Sequence, residues 1–351
     1  MTEIPNRQVC LASRPVGIPQ ARHFELRNGF APQVQQGQVR VRNLYLSVEP
    51  AMRGWVNAVG NYSEPVPLGA VMRALAAGVV QESRAPALPV GSFVTGMLGW
   101  QEHAVVAADQ VERVTVDSEI PLSAHLGVLG INGVTAHYGL LQIGAPRPGE
   151  TVVVSTAAGG VGSCVGQLAR LKGCRTVGIT GGETKRRLCL DAFGFDVAVD
   201  YKSSDFAEQL RAACPQGVDI YFDNTAGAIS DQVMDHLRPG ARIVICGTAS
   251  VANWDPAPAG PRIERKLLVN RARMQGFVIL DHPEYCAQAR VELMRWVREG
   301  QLRYLEDMLE GIEQAPDAIA GLYRGENLGK RLIRIGDLSL APRVGDRLGL
   351  R

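Results

Sequence analysis

The sequence predicts an α/β protein, in which a doubly wound parallel sheet follows a β-rich region. Three observations predict it. Residues 1 to about 125 carry short apolar runs cut by Gly and Pro, among them Val39–Leu46, Phe93–Met97 and Ala104–Ala107, the texture of strands joined by turns. Beyond that point, compact β-branched runs alternate with stretches whose apolar residues recur at helical spacing. Between the first such run and the first such stretch lies a cluster of glycines.

Each element has its own signal. Thr151–Val154 is a β-branched run, and Val161, Val165, Leu168 and Ala169 then follow at the spacing of one helix face. Arg175–Thr180 reads as a second strand and Asp196–Tyr201 as a third. Ser204 stands where it would cap a helix from Asp205 to about Cys214. Val218–Phe222 and Arg242–Cys246 are further strands, with a helix around Ser230–Leu237 between them. Glu284–Glu299 is an amphipathic helix, Leu332–Ile335 a closing strand and Gly336–Arg351 a tail. Strands alternating with helices imply parallel pairing and right-handed crossovers.

The glycine cluster carries the chemistry. Thr151-Val-Val-Val-Ser-Thr-Ala-Ala-Gly-Gly-Val-Gly162 runs from a strand through a turn into a helix, with Ala157, Gly159 and Gly162 in the slots of a GxGxxG pattern. In a sheet of this Rossmann type, such a turn lets the backbone approach a pyrophosphate and aims a helix N-terminus at it. A tight strand-to-helix turn also needs glycine for purely structural reasons. An NAD site places Asp or Glu about twenty residues on, against the ribose hydroxyls. Here the second strand ends Gly178-Ile-Thr-Gly-Gly182 without a carboxylate, and Lys185, Arg186 and Arg187 follow Glu183. A basic cluster attracts a 2′-phosphate that a carboxylate would repel, so NADPH is the expected cofactor.

Composition narrows the rest. The 351 residues suffice for two domains, and 46% hydrophobic with 21% charged residues is the balance of a globular protein. A net charge of +2 with scattered arginines gives no reason to expect nucleic acid or a membrane surface as partner. The N-terminus, MTEIPNRQVC, lacks the basic and apolar segments of a secretory signal, and no apolar run approaches a membrane span, so a cytoplasmic location is expected. Seven widely spaced cysteines include no CxxC pair. His23 and His103 stand without a nearby Cys or second His, so no bound metal is expected.

Several segments together resemble one family. Leu44-Tyr-Leu-Ser-Val-Glu-Pro50 with Met52-Arg53, Gly149-Glu-Thr-Val-Val-Val-Ser155, Gly194-Phe-Asp196 with Tyr201-Lys202, Tyr221-Phe-Asp-Asn224 and Gly325-Glu-Asn-Leu-Gly-Lys330 are similar to signatures of the leukotriene B4 12-hydroxydehydrogenase/prostaglandin reductase family. This is a zinc-free branch of the medium-chain dehydrogenases/reductases that includes curcumin-reductase-like enzymes. The likeness runs from about residue 8 to 335. It implies a GroES-like substrate domain over residues 1–125 that takes back 316–335, a Rossmann NADP-binding domain over 126–315, and a tail over 336–351, with substrate in the cleft. It also implies cofactor roles: Gly159, Gly160, Val161 and Gly162 at the pyrophosphate, Lys185 and Tyr201 at the 2′-phosphate, Asn224 and Cys246 along the nucleotide, Phe277 near the nicotinamide with Val278 grouped beside it, and Asn327 from the C-terminal segment.

The chain departs from the resemblance at its pocket. Relatives often read Pro-Tyr-Met-Arg where this chain has Pro50-Ala51-Met52-Arg53, and Ser-x-Tyr-Asn where it has Ser250-Val-Ala252-Asn253. Both changes remove hydroxyls and widen the expected pocket. Tyr62 is the candidate replacement donor; Arg53 and Arg73 complete the candidate pocket, Arg73 as a group that could meet an anion. The expected activity is NADPH-dependent reduction of the carbon–carbon double bond of α,β-unsaturated ketones or aldehydes, by a homodimer acting on a small molecule. Two rivals stand beside it: a quinone as acceptor, and an NADPH-binding protein without catalysis.

Overall fold

The computed structural model describes residues 3–251, 256 and 258–337. Chain contacts divide it into two compact units. One comprises residues 3–126, 307–326 and 331–337; the other comprises 127–306 and 327–330.

The second unit holds a six-stranded sheet, parallel throughout, in the order Val197–Asp200, Arg175–Thr180, Thr151–Ser155, Val218–Asp223, Leu237–Ile245, Arg273–Gly276. Counted along the chain, this is 3-2-1-4-5-6, the doubly wound order that reverses direction between its first and fourth strands. The β-branched run at Thr151–Ser155 is buried at every residue, as a central strand covered on both faces must be. Val153, Val177, Ile179, Val199, Leu210, Tyr221, Val233 and Ile243 form the core. The crossover after the first strand is the helix Gly160–Leu171, in which Cys164, Val165, Leu168 and Ala169 are buried.

The first unit is antiparallel in its central pairings. Gln38–Ser47 pairs with Ala76–Ser83, with His103–Ala107 and with the returning strand Lys330–Arg334. Phe93–Gly96 and Val111–Arg113 extend one side of this sheet, and Glu306–Glu310 lies on the other. A hairpin-like pair, Pro5–Leu11 with Phe24–Phe30, stands apart. The core gathers Val9, Val41, Leu46, Met52, Trp55, Met72 and Trp100 with Ile312, Ile319 and Ile333 from the C-terminal segment.

Several local expectations are corrected. Ser204 caps no helix: the helix runs Phe206–Ala213 with Asp205 at its N-cap, and the Asp205 carboxylate is held by Ser203 Oγ and by Gln209 Nε2 at 2.7 Å. The helix placed around Ser230–Leu237 starts earlier, at Gly227, and ends in a 3₁₀ turn, Met234–His236. The strand expected from Arg242 begins at Leu237, across Pro239-Gly240. Of the expected tail, residues 338–351 lie outside the described chain.

Candidate functional site

The glycine-rich turn lies where the sheet reverses direction. The buried strand Thr151–Ser155 ends at Thr156, a β-branched residue at φ 51°, a backbone region such residues seldom enter. Ala157 N–H donates to the Ile179 carbonyl at 3.0 Å, which ties the turn to the next strand. Gly159 N–H donates to Thr156 O at 2.9 Å, and Gly159 is the N-cap of the helix Gly160–Leu171. A Cβ on Gly162 would overlap the Thr156 carbonyl, so only glycine lets the helix sit this close. The first-turn N–H groups of Gly160, Val161 and Gly162 are those an α-helix leaves without an intrahelical acceptor, and the helix dipole adds positive potential there. Gly159, Gly160, Val161 and Gly162 are therefore brought together at one helix N-terminus.

Two further segments meet this turn. Gly329 N–H donates to Ala158 O at 2.9 Å, and Gly329 bridges to Gly159 as a parallel partner. Gly329 has φ 74°, and a Cβ there would overlap the Leu305 carbonyl. Asn327 Nδ2 donates to Gly329 O at 2.8 Å, which shapes the loop that reaches the turn. Asn132, in the helix Ile131–Tyr138, was not foreseen from sequence. It is buried, its Cγ would lie 3.2 Å from a Cβ on Gly160, and its Oδ1 has no hydrogen-bond partner among the described residues. A lone Asn in Ile131-Asn-Gly-Val134 gives no sequence signal of this placement.

The tip of the second strand carries the adenosine-side candidates. Tyr201 N–H donates to Thr180 O at 3.0 Å and Lys202 N–H to Asp200 Oδ1 at 2.9 Å, so the turn after the third strand folds back over Gly181. A Cβ on Gly181 would lie 2.9 Å from the Tyr201 ring and 3.0 Å from Lys202 Cε. Lys202 Nζ sits 6.0 Å from the centre of the Tyr201 ring. Lys185 is on the short helix Glu183–Arg187 at the same tip. Arg186 and Arg187 bind Glu183 at 2.7 and 2.9 Å and pull its carboxyl down to about 2. The tip thus presents Lys185, Tyr201 and Lys202, with Lys202 the residue that charge counting along Lys185–Arg187 overlooked.

Asn224 and Cys246 have fold roles at the ends of central strands. Asn224 N–H donates to Ser155 Oγ at 2.8 Å and its Nδ2 to Ser155 O at 2.7 Å, clamping two strand ends together. Burial pushes the Cys246 thiol up to about 12, so it stays a neutral thiol, and its N–H donates to Asp223 O at 2.8 Å. Phe277 and Val278, half-buried, follow the last strand; the Phe277 ring lies 5.6 Å from that of Tyr138. A separate polar hollow of about 630 Å³, lined by His137, Gln142, Lys172, Tyr285 and Glu292 among others, contains none of the predicted site residues.

In the first unit, Ala51 is half-buried against the core and Arg53 is 7% exposed, its guanidinium bonded to Asn57 Oδ1. Arg73 lies over the Trp55 ring at 5.7 Å and donates to Ser63 Oγ. Tyr62 is 54% exposed. Ala252 lies outside the described residues. Among the described residues no three His, Cys, Asp or Glu side chains gather as a metal-binding group.

Comparison with known proteins places this arrangement. Residues 7–114 match the family described as N-terminal domain of oxidoreductase, and residues 160–295 the family described as zinc-binding dehydrogenase. The chain is 41% identical over 335 residues to the NADPH-dependent curcumin reductase of Escherichia coli, covering 94% of this chain and 97% of that protein. It is 35% identical over 338 residues to the NADP(+)-dependent 2-alkenal reductase of Nicotiana tabacum, covering 95% and 98%. The crystal structure of CurA from Vibrio vulnificus in complex with NADPH superposes with a TM-score of 0.90 at 40% identity, over 94% of this chain and 99% of that one. Matched in both halves and aligned end to end with such relatives, the chain belongs to the zinc-free enone-reductase family of the medium-chain dehydrogenases/reductases.

Proposed function

We propose that this protein is an NADPH-dependent reductase of the carbon–carbon double bond of α,β-unsaturated ketones or aldehydes. One observation carries the cofactor side of the reading. The Gly159–Gly162 cradle opens at a helix N-terminus, and the neighbouring strand tip offers Lys185, Tyr201 and Lys202 where an NAD site would place a carboxylate. The cradle fits a pyrophosphate because Gly159 is the N-cap of the helix Gly160–Leu171, whose first-turn N–H groups have no intrahelical acceptor and suit an anion. The acceptor side is supported by kinship with curcumin and 2-alkenal reductases.

When bound, NADPH supplies a hydride. The Rossmann unit would hold and orient the cofactor through Gly159, Gly160, Val161 and Gly162, with Lys185, Tyr201 and Lys202 at the 2′-phosphate, and the β-rich unit would receive the acceptor near Ala51, Arg53 and Arg73. Holding two reactants in register supplies much of the acceleration in such a transfer. Seven cysteines, all without a disulfide, suit a reducing compartment, so we place the enzyme in the cytoplasm, and we read it as a homodimer.

The test is oxidation of NADPH by the purified protein over a panel of enones, enals and quinones, with NADPH and NADH binding titrated separately. The expected result is turnover of enones and NADPH bound at least about tenfold more tightly than NADH, a gap of about 1.4 kcal/mol. Turnover of quinones alone would replace the acceptor. Binding of NADPH without turnover of any acceptor would remove the catalytic reading.

A further inference from the structure

The helix Ala315–Arg324 ends at Gly325, in the left-handed region at φ 73°. Its penultimate residue, Tyr323, packs against the same core as Ala51. The Tyr323 hydroxyl lies 3.5 Å from the Pro50 carbonyl, the outer limit of a hydrogen bond, so it loses little by turning to a better acceptor. The Arg53 guanidinium and the Tyr62 phenol are its electrostatic neighbours. Trp55, 5% exposed, holds its Nε1 donor without a partner among the described residues and supports Arg73 over its ring. Arg73 has no acidic partner among the described residues. Three groups that favour an electron-rich oxygen, Tyr323, Tyr62 and Arg53, are thereby gathered from segments more than 250 residues apart.

We infer that Tyr323 donates the hydrogen bond that holds the carbonyl oxygen of the acceptor, with Arg53 polarising it. This rests on the enone-reductase reading above. As the hydride forms the new C–H bond at the β-carbon, the π electrons shift to the carbonyl oxygen and the cofactor leaves oxidised. Tyr323 keeps its proton and stabilises the resulting enolate, and a proton from water completes the second C–H bond at the α-carbon. Burial holds the phenol up at about 12 despite the lowering influence of Arg53, so it stays a neutral donor at neutral pH.

The experiment compares wild type, Tyr323→Phe and Tyr62→Phe with 3-nonen-2-one as acceptor, measuring kcat, KM and the Kd for NADPH. The expected result is a fall in kcat of about 10²-fold for Tyr323→Phe, the usual scale for one oxyanion donor, with NADPH affinity and thermal midpoint unchanged. A kcat within twofold of wild type for Tyr323→Phe overturns the inference and leaves the proposed function standing. So does the full loss appearing in Tyr62→Phe instead. A wild-type protein that binds NADPH and reduces no enone overturns both.

Discussion

Selectivity for the phosphorylated cofactor is a matter of very few side chains. Glu183 offsets only one of the two charges of Arg186 and Arg187, so the strand tip is positive through that pair together with Lys185 and Lys202. Reversing one of these charges should be felt by a 2′-phosphate and ignored by a ribose hydroxyl. Lys202→Glu is expected to weaken NADPH binding about tenfold or more while leaving NADH within a factor of about two, and to flatten the salt dependence of NADPH binding. Fluorescence titration at two ionic strengths measures both; an equal loss for the two cofactors would mean that Lys202 does not face the 2′-phosphate. At this scale the sequence was legible where residues sit in a contiguous motif. Gly159, Gly162 and Tyr201 became candidates that way. Asn132 and Tyr323 did not, because each stands alone in its helix and acquires its neighbours, Gly160 and Pro50, only through the fold.

At the level of elements, the central strand Val218–Asp223 is tied to its surroundings through one carboxylate. Asp223, 1% exposed, accepts from Tyr221 Oη at 3.0 Å, Thr225 N at 2.8 Å, Ala226 N at 2.9 Å and Ser230 Oγ at 2.6 Å. It therefore fixes the turn at Ala226, φ 57°, and the first turns of the helix Gly227–Val233. Asp223→Ala would leave several buried donors unpaired at once. A loss of at least about 3 kcal/mol is expected, read as a lower urea midpoint at unchanged slope, whereas a loss below about 1 kcal/mol would show that water replaces the carboxylate. The same turn explains why this helix was misplaced from sequence: Thr225-Ala-Gly227 reads as a loop, yet the helix starts within it. The buried strands were legible as β-branched runs. The strand Arg273–Gly276 was not, because Arg-Met-Gln-Gly is short and largely exposed, and no alternation marks it.

For the molecule as a whole, that inconspicuous strand matters most. Arg273–Gly276 pairs on one side with Leu237–Ile245 and ends the sheet; among the described residues no strand pairs with its outer edge. An open edge is a template for another strand, and proteins commonly protect it. The preceding helix, Glu264–Asn270, instead exposes Leu268 at 77% and Val269 at 55%. A second copy of this chain, related by a twofold axis, would pair the two edges antiparallel and cover both apolar side chains with their own equivalents. The expected mass in solution is therefore twice the 37.8 kDa of the chain, measured by light scattering on a sizing column. Gln275→Pro puts a residue without an N–H into the edge strand, and Leu268→Glu with Val269→Glu places charge on the apolar pair without touching the strand. Both variants are expected to run as monomers with their far-ultraviolet circular dichroism intact. Cofactor affinity should survive the split, because Gly159–Gly162, Tyr201 and Lys202 all belong to one unit of one chain. A wild type that is monomeric at micromolar concentration, or variants that stay dimeric, would place the contact elsewhere or remove it.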